Sequence, residues 1–81
     1  LSQSLNLAKD SIKRGVKDSD KIIRSMSKLI ESRKTAKIDY ISIVDFNTLK
    51  PVKKIIDNCL IALAVWIGRT RLIDNIIINS K

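Results

Sequence analysis

Apolar positions recur every three or four residues through the first third of the chain. Leu1, Leu5, Ala8 and Ile12 share one helical face, while Lys9, Lys13 and Lys17 fall on another. Gly15 is placed to stop this first helix. Asp18, Ser19 and Asp20 then offer an N-cap and first-turn acids for a second helix. The apolar stripe of that helix is Ile22, Ile23, Met26, Leu29 and Ile30, and Arg33, Lys34 and Lys37 favour its carbonyl end electrostatically.

The period then changes. Residues Ile38 to Val44 are rich in β-branched side chains and Tyr, which predicts a strand. The span Phe46 to Asn58 holds the only Pro, Pro51, with Asn47, Asp57 and Asn58, and predicts turns and a connection. Cys59 to Ile67 is a continuous apolar run, Gly68-Arg69 a tight turn, and Thr70 to Ile78 a third strand running back. The expected fold is α+β: two N-terminal helices packed on a small three-stranded antiparallel sheet, in a single domain over residues 1–81.

Alternation along the middle strand puts Ile61, Leu63, Val65 and Ile67 on one face and Leu60, Ala62, Ala64 and Trp66 on the other. A sheet with helices on one side normally keeps its other side polar. Here both sides are apolar. Three readings follow: the Phe46 to Asn58 segment folds over the second face, another domain covers it, or the strand is sandwiched within this small fold.

Composition narrows the chemistry. At 81 residues with no His, two Gly and one Cys, the chain lacks imidazole acid–base groups, a Ser–His or Cys–His pair, a disulfide and a Cys/His metal site. A glycine-rich phosphate loop is excluded as well. No self-contained enzyme of a common class fits what remains. The carboxylates Asp39, Asp45, Asp57, Asp74 and Glu31 are scattered, with no spacing that suggests a divalent-metal cage, so capping and turn roles are preferred for them.

Net charge is +8, from 16 basic and 8 acidic residues, which would suit a polyanion partner. A solvated lysine surface with compositional drift toward Ile, Lys and Asn is the preferred explanation. The basic residues look dispersed, and Tyr40, Phe46 and Trp66 do not interleave with them as a base-stacking platform requires. The longest apolar run, Cys59 to Ile67, has nine residues, too few to span a bilayer. With no secretory signal and a first residue that is Leu, not Met, the chain reads as a soluble, cytoplasmic fragment of something larger.

Met26-Ser27-Lys28 resembles the mobile lysine loop that binds ATP phosphates in class I aminoacyl-tRNA synthetases. Met26 falls on the apolar stripe of a predicted helix, so a core Met is the better account. The end of the chain is more specific. Leu63-Ala64-Val65-Trp66-Ile67-Gly68-Arg69-Thr70-Arg71-Leu72-Ile73-Asp74-Asn75 closely resembles the C-terminal signature of the pantoate–β-alanine ligase family. Ile38-Asp39-Tyr40-Ile41-Ser42-Ile43-Val44-Asp45, followed by Thr48-Leu49 and Pro51-Val52, looks like that family's preceding strand and turn, and Ser4-Leu5 fits the stretch after its hinge. Lys50 and Lys53 stand where the family often has acids, and Trp66 occupies a variable position.

The resemblance implies a parent enzyme with an N-terminal Rossmann-like ATP-binding domain, which carries a His-x-Gly-His motif and a Ser-Ser-Arg-Asn segment near the hinge. It implies attack of the pantoate carboxylate on the α-phosphate of Mg-ATP, release of pyrophosphate, and capture of the pantoyl adenylate by β-alanine to give pantothenate and AMP. It also implies a homodimeric parent without membrane or nucleic-acid partners. Neither motif is present in this chain. What remains resembles the C-terminal lid, inactive alone and binding no cofactor or metal by itself.

For the lid's own residues, Arg69 and Arg71 are the candidates for phosphate contact in a closed state. Gly68, Arg71, Asp74 and Asn75 form the structural signature: Gly68 supplies a positive φ, and Asp74 and Asn75 end the strand by bonding nearby N–H groups. No catalytic residue is assigned. Arg71 and Asp74 point to opposite faces of a regular strand, so pairing them would need a bulge or turn. Two other classes compete: a small basic domain binding nucleic acid or another polyanion, and an interaction module using the Leu60, Ala62, Ala64, Trp66 face.

Overall fold

A computed structural model describes residues 2–56 and 58–79. Leu1 and Asp57, which the sequence places in the first helix and in the connection, lie outside the described residues. Helix α1 spans Ser2–Lys13 and helix α2 spans Ser19–Glu31; strands β1 (Ala36–Asp45), β2 (Cys59–Ile67) and β3 (Thr70–Ile78) follow. The sheet is antiparallel in the order β1-β2-β3, so the strand from the longest apolar run is central.

Each helix is set by its local chemistry. Helix α1 buries Leu5, Ala8 and Ile12 and ends at a turn in which Gly15 takes a φ of +99°. Asp18 caps α2, its carboxylate accepting from the N–H groups of Asp20 at 3.0 Å and Lys21 at 3.4 Å. Ile22, Met26 and Ile30 face the core, with Ile23 packed against them. Met26 is fully buried, which settles its role as core filling.

Both helices lie on one side of the sheet. Cys59, Ile61, Leu63 and Val65 of β2 meet Leu5, Ala8, Ile12, Ile22, Met26 and Ile30 there, joined by Ile43 and Ile78 from the flanking strands. Strand β1 is longer than the sequence indicated, by two residues at its start and one at its end. Ala36 and Lys37 carry no β signature of their own, and pairing with Ile67 and Trp66 recruits them.

The 46–58 connection does not fold over the second face of the sheet. It returns to the helices instead. The Ser19 N–H donates to the carbonyl of Lys53 at 2.9 Å, the Ser19 hydroxyl to that of Val52 at 2.6 Å, and the Ile55 N–H to that of Lys17 at 2.8 Å. Ile55 is thereby carried into the core at 1% exposure. Nor is the central strand sandwiched within the fold, because its far side carries exposed side chains from all three strands. Tyr40, Trp66, Ile73 and Ile77 are 39%, 39%, 59% and 54% exposed.

Candidate functional site

The β2–β3 hairpin closes over two residues, Gly68 and Arg69, with Ile67 opposite Thr70. Gly68 has a φ of +59° and Arg69 does not share the positive sign, the combination that a type II′ turn requires. The Gly68 N–H also reaches the carbonyl of Thr35 at 3.4 Å, which holds the hairpin tip against the turn entering β1.

That contact and the register of β1 on β2 gather charge. Ala36 lies opposite Ile67 and Lys37 opposite Trp66, so Arg33, Lys34 and Lys37 come to the same end of the sheet as Arg69. All four side chains are exposed. Four of the 16 basic residues, Arg33, Lys34, Lys37 and Arg69, are thus brought to one end of the sheet by the fold. The sequence offered no local sign of this, since it depends on pairing residues some thirty positions apart. A shallow depression at this end is lined by Thr35, Lys37, Ile38, Asp39, Trp66 and Gly68.

Arg71 is engaged differently from Arg69. Its guanidinium meets the Asp39 carboxylate, with Nη2 at 2.8 Å and Nε at 3.0 Å from the same oxygen. The pair reaches from β3 to β1 across the central strand, over a gap of about 10 Å. A β-bulge makes it possible. Ile38 pairs with Val65 and Tyr40 with Ala64, leaving Asp39 as the extra residue. A bulge sets two successive residues against one partner, so Asp39 joins Tyr40 on the open face. This is the one ion pair among the described residues, and it leaves Arg69 without an acidic partner there.

Asp74 and Asn75 do not end the strand. β3 continues to Ile78, because Ile76, Ile77 and Ile78 keep pairing with Ile61, Leu60 and Cys59. The Asp74 carboxylate does bond a nearby N–H, accepting from Asn75 at 2.8 Å, but in mid-strand.

The remaining features carry little chemistry. A cavity of about 40 Å³ between the start of α1, the end of α2 and the sheet has room for water but not for a nucleotide. Cys59 is a buried free thiol, held above its ordinary pKa by burial and then by the negative charge of Asp45. Among the described residues, no three His, Cys, Asp or Glu side chains converge to hold a metal ion. No described helix is long and apolar enough to cross a membrane.

Comparison with known proteins decides the family. Residues 1–77 match the family model described as pantoate-beta-alanine ligase. The chain belongs to the pantoate–β-alanine ligase family. Among curated relatives of this ligase family, the pantothenate synthetase of Caldicellulosiruptor saccharolyticus is 47% identical over 79 residues, which is 98% of this chain and 28% of the relative. That of Clostridium botulinum is 52% identical over 75 residues, covering 93% of this chain and 27% of the relative. The chain therefore spans a little over a quarter of the ligases it matches. A crystal structure of the Thermus thermophilus pantothenate synthetase superposes with a TM-score of 0.82 over 94% of this chain and 27% of that one, at 22% identity. At that identity the likeness concerns the fold.

Proposed function

We propose that this chain is the C-terminal lid of a pantoate–β-alanine ligase, closing over a nucleotide site built by a separate N-terminal domain and inactive alone. The supporting observation is the family match over residues 1–77 in a chain spanning only 28% of a relative's length. A Rossmann-like N-terminal domain supplies ATP binding in this reading. The whole protein, a cytoplasmic homodimer, joins pantoate to β-alanine through a pantoyl adenylate, giving pantothenate, AMP and pyrophosphate. Mg travels with ATP in this reading, held by the N-terminal domain and the nucleotide's own phosphates.

The physical need for a lid is plain. An acyl adenylate is open to hydrolysis, and excluding water until the amine arrives protects it. Arg69 is the side chain best presented for contact with phosphate oxygens. It stands at a hairpin tip, exposed, in a cluster with Arg33, Lys34 and Lys37, and no acid among the described residues pairs with it. Arg71, pinned by Asp39, serves to hold the sheet end in shape. Gly68 sets the turn that presents Arg69.

Complementation tests the proposal. This chain is added to a separately produced N-terminal domain, and AMP release dependent on pantoate and β-alanine is followed. A parallel sample joins the two covalently, because a hinge supplies effective concentration that mixing lacks. The expected result is a rise in rate in the joined form, reduced by Arg69→Ala without loss of fold. Equal rates with and without this domain in the joined protein would sink the proposal. In that event, salt-dependent oligonucleotide binding is the next experiment, since the cationic end also suits other polyanions.

A further inference from the structure

The two edges of the sheet are protected in different ways. On β1, the bulge at Asp39 interrupts the ladder, Lys37 is exposed, and the chain at 50–52 returns along the edge. The Asp45 N–H donates to the carbonyl of Lys50 at 2.9 Å, and the Val52 N–H to that of Ile43 at 3.2 Å, beside a bridge between Val44 and Pro51. Strand β3 has none of these. It is nine residues long, without Lys, Pro or a register shift, and carries exposed Leu72, Ile73 and Ile77. An edge of this kind is a template for pairing with a second chain.

The register identifies which groups that edge offers. A two-residue hairpin loop makes Ile67 and Thr70 a hydrogen-bonded pair, and the pairs alternate from there. Thr70, Leu72, Asp74, Ile76 and Ile78 therefore bond to β2. Arg71, Ile73, Asn75 and Ile77 turn their N–H and C=O groups outward. Asn75 is one of the two central positions of the outward ladder that a second copy of β3 would use, and its N–H is already taken by the Asp74 carboxylate at 2.8 Å. The same carboxylate sets a negative charge beside the place where a neighbour's carbonyl would approach.

The geometry points to Asp74 as an edge guard: its side chain occupies the Asn75 N–H and so blocks antiparallel pairing of β3 with β3 of a second copy. The surface it guards is the outward edge of β3, and the partner it excludes is another copy of this chain. In an antiparallel pair both copies lose their guard contact at once, so the carboxylate counts twice against the dimer. The inference is independent of the lid proposal, because it depends on the ladder alone.

Sedimentation equilibrium of the 81-residue chain and three variants tests it. Asp74→Ala is expected to tighten self-association by about a hundredfold, the scale of freeing one charge-assisted hydrogen bond in each of the two copies. Asp74→Asn keeps an acceptor oxygen but not the charge, and is expected to associate more tightly than wild type and less tightly than Asp74→Ala. Adding Ile73→Pro to Asp74→Ala removes an outward N–H without touching the β2 ladder and is expected to restore the monomer. Asp74→Ala as weakly associating as wild type, or association that persists with Ile73→Pro, would overturn the guard. Amide exchange in wild type gives a readout that needs no variant to fold. Corrected for intrinsic rates, Asn75 is expected to exchange several-fold more slowly than Ile73 and Ile77, and equal rates would count against the inference.

Discussion

Asp45 concentrates much of the local chemistry of the β1 exit. Its carboxylate accepts from the N–H groups of Thr48 at 2.9 Å and Asn47 at 2.8 Å, and these bonds hold it below the ordinary carboxylate value of 3.8. A carboxylate whose pKa is lower in the folded state adds stability above its unfolded pKa. That stability is lost as pH falls through 3.8 toward the lower folded value. Denaturant unfolding followed from neutral pH down into this acid range is expected to show the loss. Asp45→Asn should keep the turn while removing this part of the pH dependence. An unchanged acid limb in that variant would mean the turn does not favour the charged form. Cys59 has the opposite sense. Its raised pKa keeps the folded thiol protonated where the unfolded one ionises, so its contribution falls as pH rises past 9.0.

At the scale of elements, the start of α2 is the junction on which the fold depends most visibly. Asp18 caps the helix while Ser19, one residue on, binds the 46–58 connection through both its N–H and its hydroxyl. Asp18→Ala is expected to cost about 1 kcal/mol by chemical denaturation, the scale of a lost N-cap. A change within error would assign the helix start to Ser19 and the connection instead. Ser19 also marks the limit of what the sequence conveyed. The Asp-Ser-Asp cluster announced a helix start, because capping is local chemistry. The bonds from Ser19 to Val52 and Lys53 span more than thirty residues and leave no local trace. The same holds for the site. Strands β2 and β3 were legible to the residue, since an apolar run, a Gly-Arg turn and a second β-branched run have one simple solution. The Asp39–Arg71 pair was not, because it required knowing that a bulge falls at Asp39 and that β1 and β3 flank β2. The cationic end was hidden for the same reason, as Arg33, Lys34 and Lys37 read naturally as the electrostatic finish of a helix.

Taken whole, the molecule is two layers with one core between them, and so the core has little reserve. A chain of this length has a stability of roughly 4–12 kcal/mol at typical values per residue. Leu63 is fully buried at the centre of β2 and faces both helices. Leu63→Ala is expected to cost about 2–5 kcal/mol, with the midpoint of a cooperative transition shifting accordingly. A loss below about 1 kcal/mol would mean the helices close the gap and the core is more pliable than its packing implies. Substitutions on the other layer boundary have no such core to disturb, since Trp66, Ile73 and Ile77 already face outward.

That outward face has a practical consequence. The chain contains one Trp and one Tyr, and both lie on the open side of neighbouring strands, each 39% exposed. Intrinsic fluorescence is therefore a reporter of this one surface. The helical layer contributes no fluorophore of its own. A partner settling on the sheet would shift the indole emission to shorter wavelength, whereas a ligand bound only at the helices would leave the spectrum in place.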